Sequence, residues 1–309
     1  MAQIVEKSKK AKDFILRTTT NARDSQVTKI GTSAFHSCTS LTTVEFPMVT
    51  DIGNYAFNSC ISLTTASLPV TASVGEYAFA SCESLTTVNL PVAASVGSFA
   101  FRSCKSLTTV NLPVAASVGS NAFSSCTSLT AVNCPVATTI ESSTLGGCTA
   151  LTTIDLPAVT SIGNYAFSSC TALTAIDLPS VTSIDVYAFR NCTALTTVDL
   201  PAITSIERYA FQKCAALTAL ILRNADTICT LSNKNVLTGT SIASGTGYIY
   251  VPKALLSDDD STKDYRRASN WSNYAAQFRA LEDYTIDGTI TGALDPEKVS
   301  TTTTEEVSE

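Results

Sequence analysis

Nine cysteines, at Cys38, Cys60, Cys82, Cys104, Cys126, Cys148, Cys170, Cys192 and Cys214, stand 22 residues apart without a single slip. A phenylalanine column keeps the same step at Phe35, Phe57, Phe79, Phe101, Phe123, Phe167, Phe189 and Phe211, with Leu145 in the one remaining slot. A unit of that size cannot bury its own apolar face. A period of about 20 to 30 residues with apolar positions in fixed phase therefore requires the units to stack, and the chain is predicted to be a repeat solenoid without one central core. Composition agrees, since 45% hydrophobic and only 15% charged residues describe a folded body rather than a disordered one.

The unit at residues 85–106 reads L-T-T-V-N-L-P-V-A-A-S-V-G-S-F-A-F-R-S-C-K-S. Val88 and Leu90 alternate with polar neighbours, which gives a short strand with its apolar side inward. Pro91 has no N–H for a ladder and ends the strand. Val96 returns to the core, Gly97 permits a turn, and Ala100, Phe101 and Cys104 fill the back of the coil on a short 3-10 or α turn. Stacked coils then form a parallel sheet on the concave side. With strands about 4.8 Å apart, nine coils make a sheet on the order of 40 Å long.

The recurring phrase A-F-x-x-C-x-x-L-x-x-(V/I)-x-L-P-x-x-x-x-(I/V)-G-x-x-A-F resembles the BspA-like, or Treponema-type, leucine-rich repeat family over about residues 30–222. The resemblance implies a leucine-rich repeat solenoid, with the parallel β-sheet concave and short turns convex. It also implies a surface role: family members occur on bacterial and some protist surfaces, where they bind host proteins or other cells, and in gut Firmicutes and their prophages. Near the C-terminus, G-T-G-Y-I-Y-V-P and S-N-W-S-N-Y-A-A-Q-F-R-A-L-E-D-Y look like the terminal segment of the gut Firmicutes and phage members. The chain departs from surface-anchored members in showing neither a secretory leader nor a sortase tail. Leu68-Pro69-Val70-Thr71-Ala72 looks like a sortase site but continues the repeat.

Stacked cysteines suggest disulfides, a metal site or packing. Metal ligands usually pair at close spacing with histidine nearby, and the only histidine is His36. Disulfide frameworks belong to small secreted domains without a core, and a column of nine cannot pair completely. A free thiol behaves as a small buried hydrophobe, which suits the inner corner of a coil. A nucleophilic thiolate would need a base beside it. His36 and Cys38 are close in sequence, but the cysteine is predicted to face inward and its eight copies lack a histidine. No G-x-S-x-G, H-E-x-x-H or glycine-rich phosphate loop is present, so no enzyme and no cofactor or metal is expected.

On the concave side the residues flanking Val88 face solvent. The column before it includes Thr87, Thr109, Thr153 and Thr197, and one residue earlier every unit carries threonine, from Thr42 to Thr218, which predicts a hydroxyl ladder between coils. The column after it changes character along the array, from Asn89, Asn111 and Asn133 to Asp155, Asp177 and Asp199. Amides can bond coil to coil. Adjacent carboxylates about 5 Å apart repel by roughly 1 kcal/mol at a wet surface, so either their pKa values rise or cations and basic partners compensate. Two uses stay open: a solvated acidic stripe left by duplication, or a contact stripe for a basic surface, a cation-bridged ligand or sugar hydroxyls. A tyrosine column at Tyr55, Tyr77, Tyr165, Tyr187 and Tyr209 is expected either to be half-buried against the next coil or to offer a second contact surface. Coil 126–148 is irregular, with Cys134 for the strand leucine and Ser143-Thr144-Leu145-Gly146-Gly147 for the aromatic segment, and should loosen or bend the array.

Terminal repeats need caps. Residues 1–29 are predicted to be an N-terminal cap, helical over 1–24, ahead of the array at 30–222. Residues 223–292 are predicted to be a small α/β C-terminal cap, with strands at 227–231 and 248–251 and helices at 253–267 and 271–283. The polar, acidic stretch 293–309 is predicted to be disordered. Residues 1–29 carry seven Lys/Arg against three Asp/Glu, and residues 253–309 six against twelve. That is no footprint for nucleic acid, and no run is long enough for a membrane span. The expected function is non-enzymatic binding, with the concave Thr, Asn and Asp columns meeting a protein or glycan on a host or neighbouring cell. A virion- or prophage-associated structural component is the alternative. Family resemblance points to a cell-surface or extracellular site, against a cytoplasmic or virion-associated one; oligomeric state is not legible.

Overall fold

The computed structural model describes residues 20–257 and 261–284. Each 22-residue unit makes one coil with three faces. Thr87–Asn89 is the concave strand of one coil, and Ser95–Val96 its second strand. Every such strand pairs in parallel with its equivalent one coil away, Val88 opposite Val110, Val110 opposite Val132, and Val74 opposite Val96 opposite Val118. The periodic letters thereby become columns in space. Val88, Leu90, Ala93, Val96, Ala100, Phe101 and Cys104 all point inward and are buried. Gly97 marks where coils come closest, since a Cβ there would lie 2.7 Å from the Glu76 backbone nitrogen.

The convex face refines the expected 3-10 or α turn. Its backbone N–H groups alternate between two partners. Ala56, Asn58 and Cys60 donate within the coil, three residues back, to Gly53, Tyr55 and Phe57 at 3.3, 3.2 and 3.1 Å. Tyr55, Phe57 and Ser59 donate instead to the next coil, to Glu76, Ala78 and Ala80 at 2.8, 2.7 and 2.8 Å. That alternation needs left-handed residues, and Tyr55 (φ 58°) and Ser59 (φ 61°) supply them, as do the equivalent residues in the other coils. An L-residue in this region costs on the order of 1–2 kcal/mol, which the inter-coil bonds offset. Rings in the first of these slots stack, Tyr165 on Tyr187 at 4.8 Å and Tyr187 on Tyr209 at 5.0 Å.

Both ends differ from the sequence expectation. Residues 20–29, assigned to a helical cap, instead carry strands: Asn21–Arg23 pairs with Thr43–Glu45, and Lys29–Ile30 with Asp51–Ile52. Ala22 and Ile30 stand 22 residues before Val44 and Ile52 and are buried in phase with them, so the repeat begins earlier than its cysteines do. The rest of the N-terminal cap assignment, 1–19, lies outside the described residues, as does the 293–309 tail. At the other end the sheet runs past Leu222. Ala219–Leu222 pairs with Tyr248–Val251, which pairs in turn with Phe278–Ala280. The strand expected at 227–231 is confined to Thr230–Leu231. In place of the two helices stand 3-10 turns at Lys253–Leu255, Ser261–Lys263, Trp271–Gln277 and Leu281–Asp283. The physical reason is the open sheet edge. Phe278 and Ala280 alternate inward and complete it, which a helix through 278–280 could not do. Trp271 locks this segment down by donating its indole N–H to the Cys229 carbonyl at 2.5 Å, while the Tyr265 hydroxyl accepts from the Cys229 N–H at 2.8 Å.

Candidate binding surface on the concave sheet

Strand alternation turns Thr87 and Asn89 outward on either side of inward Val88. Pairing then fixes one outward column in three registered segments, broken between Ser67 and Asn89 and between Asp155 and Asp177. It runs Arg23, Glu45, Ser67, then Asn89, Asn111, Asn133, Asp155, then Asp177, Asp199, Ile221, Tyr250 and Arg279. Thr87, Asn89, Thr109, Asn111, Asn133, Thr153, Asp155 and Asp177 are exposed, as predicted. Two predicted members are not open. Thr197 is buried at 7% exposure, and the Asp199 side chain is 15% exposed.

Most charges and amides of the column are already satisfied. Arg23 pairs with Glu45 at 3.0 Å. The Asn133 amide donates to Asn111 at 3.0 Å, and Asn111 donates to Asn89 at 3.4 Å, so the amide ladder exists. Arg223 clamps Asp199, with its Nε 2.8 and 3.0 Å from the two carboxylate oxygens and Nη2 at 2.7 Å. The compensating cation is therefore internal. It was missed because it lies beyond the last repeat. The only signal was that Arg223 shares strand parity with Ile221 if the sheet continues past 222.

The threonine ladder also forms, but to carbonyls rather than between hydroxyls. Thr64, Thr86, Thr108, Thr130 and Thr152 each donate to the threonine carbonyl one coil back, at 3.0 to 3.3 Å. Among the described residues this bond is missing at Thr174, and the strands Thr153–Asp155 and Ala175–Asp177 fall in separate hydrogen-bonded groups. Asp155 and Asp177 face each other across that interruption. They are exposed and, among the described residues, form no ion pair. The middle of the face can therefore accept hydrogen bonds and attract cations, and its neutral half can exchange amide bonds with a polar ligand.

Beyond Asp199 the face changes to an apolar, aromatic wall of Ala219, Ile221 and Tyr250 with Tyr248, Leu281 and Tyr284. Arg279 lies over the Tyr248 ring at 4.2 Å, and burial pushes the Tyr250 phenol up to about 12. The alternation of Tyr248 and Tyr250 was the signal for this wall. A second exposed row follows the prolines along one edge, at Met48, Val70, Val92, Val114 and Val136.

The cysteine column takes no part in chemistry at this surface. All 11 cysteines are buried, and none is in a disulfide. In the repeat column the thiols donate to the carbonyl of the phenylalanine slot one coil back, Cys82 to Phe57 and Cys104 to Phe79 at 3.1 Å, and Cys170 to Leu145 at 3.3 Å. Burial raises the thiol pKa of Cys104, Cys148 and Cys170, and pushes Cys82 and Cys126 up to about 12. His36 is exposed while Cys38 is buried, so the two do not form a dyad. Among the described residues no group of three or more His, Cys, Asp or Glu side chains is arranged to hold a metal ion. No helix among them is long and apolar enough to cross a membrane.

Comparison with known proteins agrees with this geometry. A BspA type leucine rich repeat region matches in six copies over residues 17–130 and 94–218. No curated protein shows significant similarity to the chain. A solved leucine-rich repeat protein from Bacteroides ovatus is 25% identical with a TM-score of 0.60, covering 76% of this chain and 67% of its own. The Treponema pallidum leucine rich repeat protein is 29% identical over 50% of this chain and 78% of its own, TM-score 0.47. A leucine rich cell surface protein from Faecalibacterium prausnitzii is 22% identical over 85% of this chain and 79% of its own, TM-score 0.34. None of these matches is to a catalytic family. The phase-locked coils and the repeat match together establish that this chain belongs to the BspA-type leucine-rich repeat family.

Proposed function

We propose that the chain is a non-enzymatic binding protein whose concave sheet meets a protein or glycan on the surface of another cell. One observation carries this reading: an exposed row in which Asn89, Asn111, Asn133 and Asp155 stand in register and Asp177 follows across the sheet interruption, flanked on both sides by charges the protein neutralises itself. The two carboxylates left without an ion pair are the attraction, and the amides beside them supply register. A surface location is part of the proposal, and membership of the repeat family supports it.

The alternative, a structural or virion-associated role, has the apolar row from Met48 to Val136 in its favour. That row crosses five coils, about 20 Å, and is one residue wide, far short of the roughly 800 Å² each partner buries in a stable interface. Binding is favoured for that reason.

The test compares wild type with Asp155→Asn/Asp177→Asn and with Arg223→Gln, on a glycan array and by flow cytometry on intact bacterial and epithelial cells. The double variant should lose binding by tenfold or more. Arg223→Gln should strengthen it, because Asp199 then joins the row as a third open carboxylate. Wild-type binding by the double variant, or assembly of all three proteins into ordered multimers, would overturn the proposal.

A further inference from the structure

Within the 22-residue array, all three faces of the solenoid lose continuity close together in one region. On the convex face, stacked rings run from Phe35 to Phe123 and resume from Phe167 to Phe211, with Leu145 between. The outer aromatic row breaks at the same place: Tyr55, Tyr77 and Phe99 stack, Tyr165, Tyr187 and Tyr209 stack, and Asn121 and Ser143 stand between. In the second sheet, Ser117–Val118 and Thr139–Ile140 belong to separate hydrogen-bonded groups. On the concave face the interruption falls between Asp155 and Asp177.

The concave sheet is also interrupted between Thr65–Ser67 and Thr87–Asn89. There, however, the other two faces run straight through. Phe57, Phe79 and Phe101 stack at 4.9 and 5.2 Å, and Val74 pairs with Val96. Coil 126–148 has smaller core side chains as well, with Cys134 in the leucine slot and Leu145 in the phenylalanine slot. Glu141, like Asp185 and Glu207 further along, takes the close-packing glycine slot, and the clearance above Glu141 is wider than in the N-terminal coils. A Cβ on Gly163 would meet its nearest neighbour at 2.9 Å, against 2.6 Å at Gly75 and Gly119. What remains continuous is backbone bonding, Ser143 to Asn164 at 2.8 Å and Leu145 to Ala166 at 2.9 Å.

In a linear array, stability is a sum of unit terms and nearest-neighbour interface terms, so the weakest interface sets where cooperativity divides. We propose that coil 126–148 is a seam: the amide-bearing N-terminal half and the carboxylate-bearing C-terminal half open as separate cooperative units, with Asp155 and Asp177 just beyond the joint. The seam is independent of what the concave face binds.

The experiment is native-state hydrogen exchange of the full chain, read by mass spectrometry across a urea series. Amides in 139–163 should open at lower urea than those in 79–118 and 183–214. Each missing ring pair is expected to contribute roughly two- to tenfold faster exchange. The variant Asn121→Tyr/Ser143→Tyr/Leu145→Phe closes both aromatic gaps using backbone positions that carry those residues in other coils, and Ser143 already has φ 55°. In that variant the two halves should merge into one transition. Equal protection across the array, a smooth decline from the ends, or an unchanged 139–163 in the folded variant would each overturn the seam. Should the triple variant fail to fold, limited proteolysis of wild type decides: first cleavage within 139–163 supports the seam, and first cleavage elsewhere refutes it.

Discussion

Replacing Phe101 by alanine tests the stacking of coils at its centre. The ring is fully buried and lies between Phe79 at 5.2 Å and Phe123 at 5.4 Å. A Phe→Ala change at such a site costs about 3–5 kcal/mol, which already contains the roughly 0.5–1.5 kcal/mol that each ring pair adds to burial. Phe35 is the internal control. It is only partly buried and, among the described residues, stacks on Phe57 at 5.0 Å from one side, with a tilted contact to Phe46 at 5.8 Å. Phe35→Ala should therefore cost about half as much, roughly 1.5–2.5 kcal/mol on the same scale. Urea unfolding followed by circular dichroism reads the whole array, while fluorescence of Trp271, the single tryptophan, reads the C-terminal end. In Phe101→Ala the dichroism midpoint should fall before the fluorescence midpoint, because the cut lies far from Trp271. The reasoning fails if the two alanine variants cost the same, since position in the ladder would then carry no energy.

Two further outcomes follow from buried polar groups. Iodoacetamide at pH 8 should modify none of the 11 cysteines in native protein and all of them in urea, because burial keeps the thiols out of reach and, at Cys104, also holds the thiol protonated; labelling of Cys104 without denaturant would contradict this. Asp264, fully buried, accepts from the Arg266 backbone N–H and Nε at 2.9 Å each and from the Arg267 Nε at 3.4 Å. Burial pushes its carboxyl up, but these bonds and charges outweigh burial and hold it below its usual range. Its folded pKa is thus depressed, so its stabilisation is present above about pH 3.9 and is lost as pH falls through the folded value. Asp264→Asn should cost about 1.5–3 kcal/mol at pH 7, and the gap to wild type should narrow below pH 3.9 in urea titrations. A gap constant from pH 7 to pH 2 would refute the assignment.

The inward columns were legible in the sequence because a strict period of 22 leaves the stacking register no freedom, and Phe101, Cys104 and Leu107 sit where that register puts them. The amide ladder was legible for the same reason. The left-handed slots at Tyr55 and Ser59 were not, since local propensity argues against φ > 0 for a tyrosine, and the bonds that offset it reach the next coil. Nor was the closing of the site at Thr197 and Asp199. At Asp199 it depends on Arg223, and the non-repetitive segment beyond the array has no period from which to read a register. Phe278–Ala280 was read as helix because its flanking aromatics recur at helical spacing. The vacant edge at Tyr248–Val251, a tertiary feature, decided for strand.

The central claim is that residues 22 apart in sequence stand one strand apart in space. Spin labels on non-cysteine side chains introduced at Ser67 with Asp155, and at Ser67 with Asp177, span 88 and 110 residues of chain. Double electron–electron resonance should give backbone separations of about 19 and 24 Å after correction for the labels, an increment of about 4.8 Å for one repeat. Separations that do not increase by about one strand spacing between the two pairs would contradict the in-phase solenoid and, with it, the continuous concave row.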